Sequence, residues 1–321
     1  MRLLAKTILF ATMALTALGL HASEKKGPPL RIIVPYAAGG GTDMLARQLS
    51  IRLEAKMNRT VLVENKAGGA TVPAALAIIS APADGNTVAL FDLSTVTMNQ
   101  HLFKKPPYDP ETAFKPVTKV ADIPHALLVP ANSSVTDLAD FVAQVKSKQI
   151  AVFGSPGSLS GSFLLFEEFL KRAGLSMEHS GYRGSAPALQ DLIGGQLPAA
   201  FLDINSAIQH IKAGKVRALA VATVNRLDLL PNVPTFGESG YAGYLGYTWY
   251  GVFMRGTTPD SLVNQVGDAV REVTMSADMK KWLDSQTLVP SVTSSPEFKQ
   301  LIQEDSKKFG SIIRTKGLSL D

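Results

Sequence analysis

From residue 29 onward, short apolar runs alternate with amphipathic stretches. Arg31–Tyr36 (RIIVPY) has the length and composition of a buried strand, and it runs into a glycine-rich loop, 37–41. Met44, Leu45, Leu49 and Leu53 then recur near helical spacing, which predicts a helix behind that loop. Val61–Glu64 reads as the next strand, Pro73–Ser80 as an alanine-rich helix, 81–86 as a turn and Thr87–Phe91 as a third strand. Strand and helix in alternation predict an α/β fold with a largely parallel sheet.

The pattern starts again after residue 130. Asp137–Lys146 is an amphipathic helix with a cap expected near Thr136. Ile150–Phe153 is a strand that enters a second glycine-rich loop, 154–161 (GSPGSLSG), and Ser162–Ala173 is the helix behind it, stopped at Gly174. Helices at Ala186–Ile193 and Ser206–Ala213 and strands at Pro198–Leu202 and Val216–Ala222 complete the second unit. Thr248–Met254 (TWYGVFM) reads as a strand returning to the first unit. The tail reads as three helices, Asp260–Ser276, Ala277–Ser285 and Pro296–Ile313. The chain thus crosses between units near Ile123–Pro130 and again near Thr248–Arg255. Two crossings predict a double-hinged, two-lobed clamshell, with lobe 1 at 29–126 plus 251–321 and lobe 2 at 127–250.

The N-terminus breaks the pattern. Arg2 and Lys6 precede the apolar run Thr7–Leu20, and Ala22 offers a cleavage point. The run is short for a membrane span, which needs about 20 apolar residues. Residues 1–22 are therefore predicted to be a secretory signal peptide, with a soluble exported protein behind it. The sequence contains no cysteine, so disulfides, thiolate metal sites and lipid attachment at a cysteine are excluded. The formal charge is +5, of which Arg2 and Lys6 leave with the signal. No basic stripe interleaved with aromatic residues follows, so nucleic acid is not an expected partner.

Both units share a buried strand, a glycine-rich loop and a helix start. Glycine lets a ligand approach the backbone closely, since no Cβ intervenes. The free N–H groups and the dipole of a helix start favour an anion there without any Lys or Arg. Hydroxyls at Thr42, Ser158 and Ser160 add donors. Neither loop continues into Gly-Lys-Ser/Thr, so a nucleotide phosphate cradle is not indicated. His101, His125, His179 and His210 show no paired helical spacing with a carboxylate, and no metal site or cofactor is expected. No Gly-x-Ser-x-Gly elbow with supporting Asp and His appears. Arg183 reads equally as a carboxylate clamp or as a solvated loop residue. Phe91, Tyr182, Trp249 and Tyr250 read as core or as pocket wall.

The chain resembles the Bug family, the solute-binding receptors of tripartite tricarboxylate transporters. The resemblance rests on an ordered series: Val34–Asp43 (VPYAAGGGTD) with Arg47, Val63–Gly68 (VENKAG), Ala81–Thr87 (APADGNT), Pro107–Pro110 (PYDP), Tyr182–Ala188 (YRGSAPA), Gly194–Gln196 (GGQ), Ala213–Ala220 (AGKVRALA) and Leu230–Phe236 (LPNVPTF). It implies a periplasmic-binding-protein-like fold of the type II class, closing on a small carboxylate, with membrane transporter subunits as partners and the protein itself a monomer. It carries the ligand contacts onto Tyr36, Ala37, Gly40, Gly41 and Thr42 of the first loop and onto Ser155, Gly157, Ser158 and Ser160 of the second. It adds Tyr182, Arg183, Ser185, Ala186 and Asp203. Ser180-Gly181 before Tyr182 and Pro156 within the second loop depart from the family pattern, which leaves the identity of the carboxylate open. Two other readings stand beside this one. The same clamshell could serve as a ligand-sensing adapter for a receptor kinase, and an exported hydrolase would need a nucleophile and base in the cleft.

Overall fold

The computed structural model describes residues 27–320 apart from Ser158 and Arg183, so the expected signal peptide and those two candidate contacts lie outside the described residues. Strands β1 (Leu30–Val34), β2 (Val61–Asn65) and β3 (Thr87–Asp92) pair in parallel, with β1 between the other two. Helices α1 (Gly41–Met57) and α2 (Val72–Ser80) connect them. A turn of π-helix, Ser94–Met98, then runs into a short α-turn, Asn99–Leu102.

The next element departs from expectation. Residues Phe114–Pro130 form one strand of 17 residues, β4. Its first part, to Pro124, pairs antiparallel with β9 (Tyr247–Arg255), and β9 pairs antiparallel with β3. Its second part, from His125, pairs antiparallel with β7 (Ala200–Asp203) and β8 (Val216–Val221). β5 (Val152–Ser155) lies parallel to both β6 (Glu178–Gly181) and β7. The two-residue strand β10 (Val289–Pro290) pairs with β4. The expected, largely parallel sheet is therefore a mixed one. Its outer strands are parallel βαβ units, and the strands that join the halves are antiparallel because β4 and β9 run between the halves in opposite directions.

The chain passes from one half to the other at Pro124–His125 within β4. It returns at residues 246–247, where the Gly246 N–H still donates to the Ala222 carbonyl (2.9 Å) and Tyr247 already pairs with Pro124. The second half carries α3 (Leu138–Lys146), α4 (Gly161–Ala173), α5 (Ser185–Ile193) and α6 (Ile204–Lys212). The α3 cap is Asp137, one residue beyond the expected Thr136, because its carboxylate reaches the Asp140 N–H (2.8 Å). Helices α7 (Asp260–Met275), α8 (Ala277–Ser285) and α9 (Ser295–Lys316) close the chain.

Burial follows the layers. Leu30, Ile32, Val34, Leu45, Leu49, Val263 and Val270 fill the space between the first half-sheet and α1 and α7. Leu128, Leu189, Leu192, Leu202 and Ile208 do the same between the second half-sheet and α5 and α6. A third, aromatic core runs through both halves and includes Phe91, Phe153, Phe166, Phe201, Trp249, Phe253 and Phe298. No helix among the described residues is long and apolar enough to cross a membrane.

Candidate ligand-binding site

The parallel strands of both halves end at one cleft of about 770 Å³, lined by residues of both halves. The first wall is the loop from β1 to α1. Asp43 pins it from beneath, accepting from the Gly39 N–H (2.9 Å), the Asn65 amide (3.0 Å) and the Arg47 guanidinium (2.8 Å). The Arg47 hydrogen bond is the main reason that the Asp43 carboxyl is held down to about 2. With the loop fixed in this way, the first turn of α1 starts at the cleft without a side-chain cap, and Gly41 lines the wall. Thr42 is buried next to the Tyr250 hydroxyl, whose pKa burial pushes up to about 12. Ala37 and Gly40 are exposed on the loop outside the cleft lining.

The second wall begins at β5. A Cβ on Gly154 would lie 2.4 Å from a Leu197 methyl and 3.2 Å from the Tyr182 ring, so glycine there leaves room for both side chains to pack on the strand end. Ser155 turns inward and is fully buried, its Oγ 2.8 Å from His179 Nε2. The Ser160 hydroxyl donates to the Gly157 carbonyl (2.8 Å) and accepts from the Phe163 N–H (3.2 Å), which caps α4. Gly157, Ser160 and the α4 start, Gly161 and Ser162, line the cleft.

The third contribution comes from the segment after β6. Gly184 sits at φ +109°, a conformation other residues rarely adopt, and leaves α5 without a side-chain cap. Ser185 lines the cleft and donates to Asp203 Oδ2 (2.6 Å), while Ala186 is exposed beside it. Tyr182 turns away, its hydroxyl donating to Asp191 (2.8 Å). Asp203 caps α6 by accepting from the Ser206 N–H (2.9 Å) and hydroxyl (2.7 Å). That leaves three helix starts, those of α1, α4 and α5, to offer N–H groups to an anion.

Of the residues expected from sequence, the cleft thus brings together Tyr36, Gly41, Gly157, Ser160, Ser185 and Asp203. Several lining groups were not anticipated. Asp92 ends β3 and accepts from the Tyr36 hydroxyl and the Ser94 N–H (3.1 Å). The predicted strand stopped one residue short of it; a carboxylate closing an apolar run was the available signal. His125 Nδ1 lies 3.0 Å from the Ile123 carbonyl, so that nitrogen carries the proton and Nε2 accepts from the Ser162 hydroxyl (2.8 Å). Burial holds the His125 pKa down, so the ring is neutral. Met44, Met98, Leu102, Leu159 and Trp282 give part of the cleft an apolar surface. No group of His, Asp or Glu among the described residues is arranged to hold a metal ion.

The chain matches the family described as the tripartite tricarboxylate transporter family receptor over residues 45–318. It is 28% identical over 321 residues to Protein BugT of Bordetella pertussis, covering 99% of this chain and 98% of that protein. An R. palustris protein solved with adipate superposes with a TM-score of 0.77 at 27% identity, covering 91% of this chain and 98% of the other. MatC from Rhodopseudomonas palustris with bound malate superposes with a TM-score of 0.72 at 26% identity, covering 89% and 98%. The α/β clamshell is therefore that of a known group, and this chain belongs to the tripartite tricarboxylate transporter receptor family.

Proposed function

We propose that this chain is exported to the periplasm by its residues 1–22, captures a small organic carboxylate in the cleft as a monomer, and delivers it to the membrane subunits of a tripartite transporter. The observation that carries the reading is the meeting of three helix starts without charged caps, at Gly41, Gly161 and Ser185, on one cleft between two half-sheets. A hydrogen bond to a charged group contributes about 1.5–3 kcal/mol. A handful of them, less the cost of association, reaches the ~8 kcal/mol of a micromolar ligand. Adipate and malate in two relatives support a carboxylate. The lobes would be 29–126 plus 251–321 and 127–250, closing about β4 and the β9 start. Ser158 and Arg183 remain candidate contacts beside the lining residues.

The receptor acts by binding and release, without turnover. His125 has a backbone carbonyl at Nδ1 and no carboxylate, and both it and Ser162 are buried, which favours a structural role for that pair. The test is calorimetry on residues 23–321 with mono-, di- and tricarboxylates, aromatic acids and amino acids, together with small-angle scattering. Micromolar binding of one class with compaction of the protein supports the reading. Silence across the panel, from protein stripped of retained ligand, would overturn it.

A further inference from the structure

Among the described lining residues the only full charges are two carboxylates, Asp92 and Asp203, and no Lys or Arg joins them. The two differ in what they are free to do. Asp203 is the cap of α6 and is also bonded to Ser185, so its charge is spread over a helix start that it already satisfies. Asp92 stands at the end of β3 on the opposite wall, half-buried, held by the Tyr36 hydroxyl and by neighbouring backbone N–H groups. Those donors are neutral. They orient the carboxylate without cancelling its charge, and no described cation pairs with it.

A ligand carboxylate at the three helix starts, two of them without a side-chain cap, meets favourable dipoles. A second carboxylate in the same cleft would meet Asp92 instead, in a partly desolvated space where like charges repel strongly. An ammonium group there would instead form a charge-assisted hydrogen bond. Resting on the carboxylate-receptor reading, we infer that the ligand is an amino acid in the broad sense: one carboxylate at the helix starts, one protonated amine against Asp92, and an apolar body along the Met98–Leu102 wall.

The test uses five probes on the same five-carbon chain: valerate, glutarate, norvaline, δ-aminovalerate and cadaverine. Each is titrated by calorimetry into residues 23–321 after unfolding and refolding to strip retained ligand. The inference expects norvaline or δ-aminovalerate to bind at least about tenfold more tightly than valerate and glutarate, the worth of one charge-assisted hydrogen bond. Asp92→Asn keeps the shape and can still meet Tyr36, and it should erase that preference while the variant melts as a folded protein. If it does not fold, Asp92→Ser is the second variant. Glutarate or valerate binding as tightly as the amino acids would overturn the inference and leave the carboxylate receptor intact. Binding of cadaverine with none of the four carboxylates would overturn both.

Discussion

The Tyr36 hydroxyl donates to the Asp92 carboxylate across the base of the cleft, tying the loop after β1 to the end of β3. Burial pushes the Tyr36 pKa well up and raises that of Asp92, so the pair holds its proton on the tyrosine at neutral pH. Tyr36→Phe removes the donor and leaves a half-buried carboxylate less well satisfied. The expected cost is about 1–3 kcal/mol of stability, read from urea unfolding at pH 7. The sign for Asp92 follows from its raised pKa: ionisation penalises the folded state, so the loss in the variant should shrink as the pH falls and the carboxyl takes up its own proton. An unchanged loss at acid pH would mean that the tyrosine acts through packing alone.

Gly161 opens α4 where the halves face each other. A Cβ placed there would lie 2.6 Å from the Thr248 methyl and 3.3 Å from Leu93. Leu93 follows β3 in the first half, and Thr248 stands at the β9 start, opposite Ile123 beside the crossing. Gly161→Val should wedge the halves apart, lowering affinity for the best panel ligand by at least about tenfold and abolishing compaction in small-angle scattering. Normal compaction by this variant would remove Gly161 from the closing surface.

His179 packs 4.3 Å from the Phe163 ring and 4.9 Å from the Phe153 ring, and its Nε2 faces Ser155. Burial, with a smaller contribution from Lys316, lowers its pKa from 6.5 to about 4. A histidine with a lowered folded pKa stabilises fully above its unfolded value and loses that contribution as the pH falls. Unfolding free energy should therefore decline from pH 6.5 toward pH 4, with His125, also held down by burial, adding in the same direction. His179→Gln should flatten that slope in a series of urea titrations. A slope identical to that of the parent would place the effect elsewhere.

The sequence made most of the outer architecture legible and little of the middle. β1, β3 and the helices after both glycine loops follow from apolar runs that act locally, with a Ser160 cap added at α4. β4 does not: Lys115, Pro116, Lys119, Asp122 and Pro124 interrupt its apolar pattern. Lys119 and Asp122 are tolerated because the lysine, 6% exposed, forms an ion pair with the aspartate (2.9 Å) inside the fold. β6, Glu178–Gly181, has no apolar residue and exists only because β5 pairs with it. The loops that form the cleft were readable for the same reason that helix starts are. The destinations of Ser155 and Tyr182 were not, since His179 and Asp191 decide them through contacts that no local pattern encodes.

Gly251 on β9 is covered by Phe298 of α9, and an added Cβ would lie 2.2 Å from the ring's Cζ. Phe298 also packs edge-on against Trp249, centroids 5.0 Å apart, so it has little room to retreat. Gly251→Ala should cost about 1–3 kcal/mol through overpacking, measured by urea unfolding. Adding Phe298→Leu should return part of that loss, because the two positions share one space. Additive losses in the double variant would contradict the contact.

α9 packs against β4, yet its last three turns reach α4 of the other half. There Lys316 pairs with Glu167 of α4 (2.7 Å) and Lys308 pairs with Glu168. Glu167 keeps only 8% of its side chain exposed, whereas Lys316 keeps 42%, so the pair has a dry end and a wet end. Such pairs rank between exposed ones, worth less than about 1 kcal/mol, and fully buried ones whose loss costs several. Opening the clamshell must either break them or drag α9 along. If they break, Lys308→Ala with Lys316→Ala should favour the open form by ~1–2 kcal/mol, enlarging the radius of gyration of the unliganded protein and weakening the best panel ligand about five- to thirtyfold. Raising the salt concentration should weaken the parent in the same sense and barely affect the double variant. Equal salt dependence in both would mean that α9 travels with α4, and that the halves separate along another line.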